Sequence, residues 1–161
     1  MAAVLLEGDQ VPQRQPAKAK ILGTLSTLYP DSAAIMGWNI IDAGFEVVFS
    51  SRIPSIVREE FPQLLKQFLA QHGLEQRDIG RYLLHPGGAK VITAYEDSLG
   101  LPADKLQITR EVLRTYGNMS SSTIFFVLDE ALRAQPLAEG EYGVLAVFGP
   151  GFSAELVLIR G

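Results

Sequence analysis

The end of the chain constrains the fold most. Tyr142 to Phe148 and Phe152 to Ile159 are two largely apolar runs separated only by Gly149-Pro150-Gly151, the pattern of two strands joined by a turn. In the second run both phases are apolar, Leu156 and Leu158 in one, Val157 and Ile159 in the other. A strand with one wet face would alternate apolar with polar residues, so these strands are expected to be covered on both sides. Helical periodicities elsewhere supply the cover. Ile53, Val57, Phe61, Leu64, Leu65 and Phe68 recur at spacings of three and four, which predicts an amphipathic helix kinked at Pro62 and ended at His72-Gly73. Val91, Ile92, Tyr95 and Leu99 mark a second helix ending near Gly100, and residues 109–116 a third that Gly117 closes. Ser120, Ser121 and Ser122 offer N-cap hydroxyls to a fourth segment running through Ala134. Its middle, Ile124 to Leu128, is apolar on every side, so a nearly fully buried central helix is expected.

Other strands are expected at residues 2–7, at Ile21–Tyr29 before the turn residues Pro30-Asp31-Ser32, at Phe45–Phe49 after Gly44, and at Tyr82–Leu84. Gly8 to Lys20, with Pro12 and Pro16, reads as an irregular connector. The fold class is α/β, a mixed sheet packed by helices in layers, in a single domain over residues 1–161.

Composition narrows the chemistry. Zero Cys in 161 residues removes disulfides, thiolate metal sites and any thiol nucleophile from this chain. Two His, His72 and His85, are too few for a His-rich metal site, and no metal is expected. The net charge of −4 is spread among interspersed acids and bases, with no basic cluster of the kind that grips nucleic acid. Met1 to Glu7 is apolar but lacks a charged leader and is too short to cross a membrane, so a soluble cytoplasmic protein is expected, with neither nucleic acid nor membrane as partner.

Three pieces could carry chemistry. His85 stands at a strand end before Pro86-Gly87-Gly88; a strand terminus projects its side chain into a cleft, and glycines let a ligand approach the backbone. The plain alternative is a loop His making ordinary hydrogen bonds. His72, in the last turn before a Gly, suits the negative end of a helix dipole and is given no catalytic role. Asn118 precedes a helix amino end, and a carboxamide beside free backbone N–H groups can hold an oxyanion; it could equally be a turn residue after Gly117. Gly149-Pro150-Gly151 taken alone is only a turn.

Together these pieces are more specific. His85-Pro86-Gly87-Gly88, Arg110-Glu111-Val112-Leu113, Gly117-Asn118-Met119-Ser120-Ser121 and Phe148-Gly149-Pro150-Gly151-Phe152, in this order, resemble the signatures of type III polyketide synthases, the chalcone and stilbene synthase family. The resemblance runs from Ala2, through Gly44 and the Ile53-Pro54 helix start, to Arg160. It implies the carboxyl-terminal half of a thiolase-like fold whose nucleophilic Cys belongs to an amino-terminal half. It also implies decarboxylative Claisen condensation of malonyl coenzyme A onto an acyl coenzyme A starter, with no cofactor beyond these thioesters, in a homo-oligomer. By resemblance His85 and Asn118 are the catalytic histidine and asparagine. Gly87, Gly88 and Lys90 match the loop along the pantetheine arm, Gly149 and Pro150 the loop shaping the cyclisation cavity, and Ser120 a cavity-lining serine. Lys90 stands where plant members carry a small residue. Val47 stands where they carry a gatekeeping Phe, a departure that implies a wider entrance and starters other than those of chalcone synthesis. On this reading the isolated chain is inactive without the Cys-bearing half. A noncatalytic assembly or coenzyme A-binding module, and a ketoacyl synthase III-like enzyme, are the alternatives.

Overall fold

A computed structural model describes residues 1–11 and 16–161; residues 12–15 of the expected Gly8–Lys20 connector lie outside the described residues. Among the described residues, six strands and four α-helices follow in the order β1 (Lys20–Leu28), β2 (Met36–Ile41), β3 (Gly44–Phe49), α1 (Ile53–Ala70), β4 (Ile79–Leu84), α2 (Ala89–Leu99), α3 (Gln107–Tyr116), α4 (Thr123–Ala134), β5 (Tyr142–Gly149) and β6 (Ser153–Arg160). The main sheet has the order β1-β6-β5-β4. β4 runs parallel to β5, which forms the expected antiparallel hairpin with β6, and β6 pairs antiparallel with β1. The sheet is therefore mixed.

Alternation along these strands feeds two cores. Val144, Ala146 and Phe148 of β5, with Leu156 and Leu158 of β6, pack with Val57, Phe61 and Phe68 of α1 and with Ile92 and Tyr95 of α2. Leu83 and Ile159 point the other way, into a smaller cluster with Val112 of α3 and Val127 and Ala131 of α4. The two-sided cover expected for the hairpin is thus provided by α1 and α2 on one face and by α3 and α4 on the other. Pro62 is accommodated inside α1, and Gly100 closes α2 in the left-handed conformation, its φ of 63° being open to a residue without Cβ.

Three expectations are corrected. Residues 2–7 form no strand: Val4, Leu5 and Leu6 are exposed and no neighbouring strand offers them a ladder. The central helix is covered on one side only, burying Thr123, Ile124, Val127 and Ala131 while Phe125 faces outward, because no element of the described residues packs beyond α4. Ser120–Ser122 form a 3-10 turn, and Ser122, the residue at the N-cap of α4, makes no side-chain capping bond. A strand not foreseen, β2, pairs with β3 as a separate two-stranded sheet.

Candidate active site

The parallel pair sets the site. β4 and β5 end on the same side of the sheet, so the residues following Leu84 and those around Gly149 gather at one edge. His85 is the first residue past β4, and its backbone N–H still reaches the Ala146 carbonyl at 2.9 Å. The side chain is half-buried, and its Nδ1 is buried without a partner among the described residues. Burial lowers the imidazole pKa from its usual 6.5, since a charged ring would lose its hydration there.

Pro86 is buried behind it, and the chain then turns sharply: Gly87 has φ of 53°, and a Cβ there would meet Val91 at 3.3 Å. The Gly88 N–H turns back to the Pro86 carbonyl, and α2 starts at Ala89. Lys90 is exposed on the first turn of α2.

Asn118 comes to this loop from 31 positions away in sequence. Its Nδ2 donates to the Gly87 carbonyl at 2.9 Å, and its Oδ1 accepts the Ser120 N–H at 2.9 Å. One amide hydrogen of Nδ2 is left for another acceptor. Ser120 holds a left-handed φ of 58°, unusual for a residue with a Cβ. The carboxamide is therefore fixed at both ends beside the His85 loop, although the residue as a whole is exposed.

Gly149 and Pro150 turn the chain at the end of β5. Past them, Phe152 N–H donates to Ser32 Oγ at 2.6 Å and the Tyr29 N–H donates to the Phe152 carbonyl at 2.9 Å. Ser32 thus ties the turn after β1 to the turn after β5, a link that sequence reasoning missed. Thr123 was missed too: fully buried at the start of α4, its Oγ1 accepts the Met119 N–H at 2.8 Å. A threonine after three serines carries no signal that separates it from them. Val47 lies elsewhere, half-exposed on the β2–β3 hairpin opposite Trp38.

The site therefore joins Gly87, Asn118 and Ser120 in one hydrogen-bonded group two residues past His85, with Gly149 and Pro150 at the same end of the sheet and Val47 on a different element. A half-buried imidazole, whose charged form burial disfavours, and a pinned carboxamide can donate hydrogen bonds to a developing oxyanion. A surface groove of about 550 Å³ along α1, lined by Glu59, Pro62, Lys66 and Gln76 among others, contains none of these residues.

The profile of chalcone and stilbene synthases, C-terminal domain, matches residues 20–161. The 1,3,6,8-tetrahydroxynaphthalene synthase of Streptomyces peucetius subsp. caesius is 41% identical over 160 residues, which cover 99% of this chain and 42% of that protein. The crystal structure of 1,3,6,8-tetrahydroxynaphthalene synthase from Streptomyces coelicolor superposes with a TM-score of 0.82 at 26% identity, covering 88% of this chain and 40% of that one. The C-terminal type III polyketide synthase domain of Steely1, a type I/III hybrid from Dictyostelium, shares the fold with a TM-score of 0.80 at 23% identity, over 89% of this chain and 40% of that one. The chain spans less than half the length of the curated relatives it matches.

Proposed function

This chain belongs to the chalcone and stilbene synthase family, as its carboxyl-terminal domain, and from that premise we propose that it supplies the oxyanion-holding half of a type III polyketide synthase active site. Loss of carbon dioxide from a malonyl thioester leaves an enolate whose oxygen carries the charge. His85 Nε2 and the free amide hydrogen of Asn118 Nδ2 are the donors that hold it. The nucleophile is a Cys of the amino-terminal half, which takes the starter acyl group from its coenzyme A thioester; His85 pairs with it and favours its thiolate. Gly87, Gly88 and Lys90 border the pantetheine arm. Ser120, Gly149 and Pro150 line the cavity in which the product cyclises, and Val47 sits at its entrance once the other half is in place.

The observation that carries this reading is the bond from Asn118 Nδ2 to the Gly87 carbonyl, which fastens the carboxamide two residues from His85. No cofactor is required, since the reacting groups are the thioesters themselves.

The test is a chimaera in which this chain replaces the corresponding segment of the 41% identical tetrahydroxynaphthalene synthase, assayed for carbon dioxide release from labelled malonyl coenzyme A. Asn118→Asp places an anion where the enolate develops, and release should fall by about 10²–10³-fold. Near-normal release would remove Asn118 from the proposed role. The isolated chain should release none; measurable turnover by it would contradict the need for the other half.

A further inference from the structure

A carboxamide can act as an oxyanion donor only while its donor end is held toward the site, and an exposed Asn would ordinarily sample several rotamers. Three of the hydrogen bonds that fix the turn presenting Asn118 are donated by its own backbone N–H groups. The Gly117 N–H closes α3 on the Leu113 carbonyl at 3.0 Å, the Ser120 N–H takes Asn118 Oδ1, and the Met119 N–H takes Thr123 Oγ1. The first two are made by residues of the turn and the preceding helix. The third comes from the helix that follows, beside the bond of the Thr123 N–H to the Ser120 carbonyl, and it is made by a side chain that is fully buried.

Thr123 is unusual in its use of that oxygen. A Thr hydroxyl within a helix commonly donates to a carbonyl three or four residues back, whereas this one accepts from a backbone N–H four residues back. The β-branched side chain has few rotamers in a helix, and burial of its methyl leaves it no room to move. Met119 lies immediately after Asn118, and Ser120, one residue further, is held in the left-handed region at a cost of order 1–3 kcal/mol for a residue with a Cβ. A fixed acceptor for the Met119 N–H offsets that cost and keeps the turn in this one conformation.

From these contacts we infer that Thr123 is a positioning residue: through the Met119 N–H it holds the Gly117–Ser122 turn so that the Asn118 carboxamide stays between the Gly87 carbonyl and the Ser120 N–H. The consequence for catalysis rests on Asn118 being the oxyanion donor proposed above, but the positioning itself does not, and it can be read without turnover.

The experiment uses the 161-residue chain labelled with ¹⁵N at asparagine. Only Asn39 and Asn118 contribute side-chain amide signals, and Asn39, on the exposed β2–β3 hairpin, is an internal control. Thr123→Val keeps the shape and removes the acceptor. The Asn118 amide protons should then exchange with solvent about tenfold faster and move toward the positions of an unstructured asparagine. Asn39 should not change, and Thr123→Ser should restore the original signals. An unchanged Asn118 pair in a folded Thr123→Val chain overturns the inference, as does a Thr123→Ser variant that behaves like Thr123→Val. Should Thr123→Val fail to fold, the unmodified chain decides: the Met119 N–H lies outside the α-helical ladders, so protection from exchange there supports the bond and free exchange refutes it. Failure of Asn118→Asp to impair the chimaera would leave these signals untouched, so the two readings fall separately.

Discussion

His85 is the residue whose environment makes the clearest demand. Its ring is half-buried, Nδ1 has no partner among the described residues, and burial lowers its pKa from 6.5. Between the folded and unfolded values the unfolded chain binds a proton that the folded chain does not. Stability therefore rises with pH through that window, is complete above about 6.5 and is lost as the pH falls toward the folded value. A proton NMR titration should place the His85 midpoint below 6.5, and His85→Gln, which cannot titrate, should flatten the stability profile across the same window. A midpoint at or above 6.5 would mean that water or a carboxylate reaches the ring, and with it that the imidazole is not the neutral donor required for the enolate.

At the scale of elements, the edge strand β4 is fastened to the segment entering β5 by one side chain. Glu141 Oε1 accepts from Arg81 Nε at 3.0 Å and Oε2 from the Ala138 N–H at 2.9 Å, with both charged side chains mostly buried. Burial alone would raise the Glu141 pKa, but the Ala138 N–H and the Arg81 guanidinium outweigh it and the net shift is downward. A depressed carboxylate contributes stability above its unfolded pKa and loses it as the pH falls through the folded one. Glu141→Gln should therefore cost about 1–3 kcal/mol in urea unfolding near neutral pH, and the difference should shrink in acid; an equal cost at both pH values would mean that packing over Gly80, not charge, is what the residue supplies. Arg81 and Glu141 drew no notice in the sequence, because an ion pair 60 positions apart has no local signature. Elements with buried faces were legible: α1 and α2 carry a helical period, and β5 and β6 are two apolar runs joined by the turn residues Gly149-Pro150-Gly151. β2 was not, since Gly37 and Asn39 depress strand propensity, while the apolar residues 2–7 read as a strand but have no pairing partner. His85 and Asn118 were readable only through their neighbours, as parts of a motif combination. Thr123 and Ser32 were not readable, since the partners of their hydroxyls are brought near by the fold and not by the chain.

For the whole molecule, the β2–β3 register has a consequence beyond the hairpin. Met36, Trp38 and Ile40 stand opposite Phe49, Val47 and Phe45, so strand alternation puts all six on one face, and five of them are exposed. Trp38 and Phe45 meet edge to face at 6.4 Å, covering each other only in part. Phe125 on α4 and Leu5 and Leu6 near the amino end add further apolar surface in water. A contiguous apolar face of this kind is rare on a monomer that works alone, and the relatives are more than twice as long as this chain. Without the remainder of such a protein, the cheapest cover is another copy. Sedimentation should show a mass that climbs with concentration, and because Trp38 is the only tryptophan, its emission should shift to the blue over the same range. Trp38→Ser combined with Phe45→Ser removes two of the three rings on that face and should weaken association by tenfold or more, taking roughly 25 cal/mol per Å² of apolar surface as the driving force. Phe125→Ser should do less, since a single partly covered ring exposes far less area. Association that persists unchanged in the hairpin double variant would move the contact to α4. A concentration-independent monomer with solvent-like Trp38 emission would mean that the hairpin face needs no cover at all.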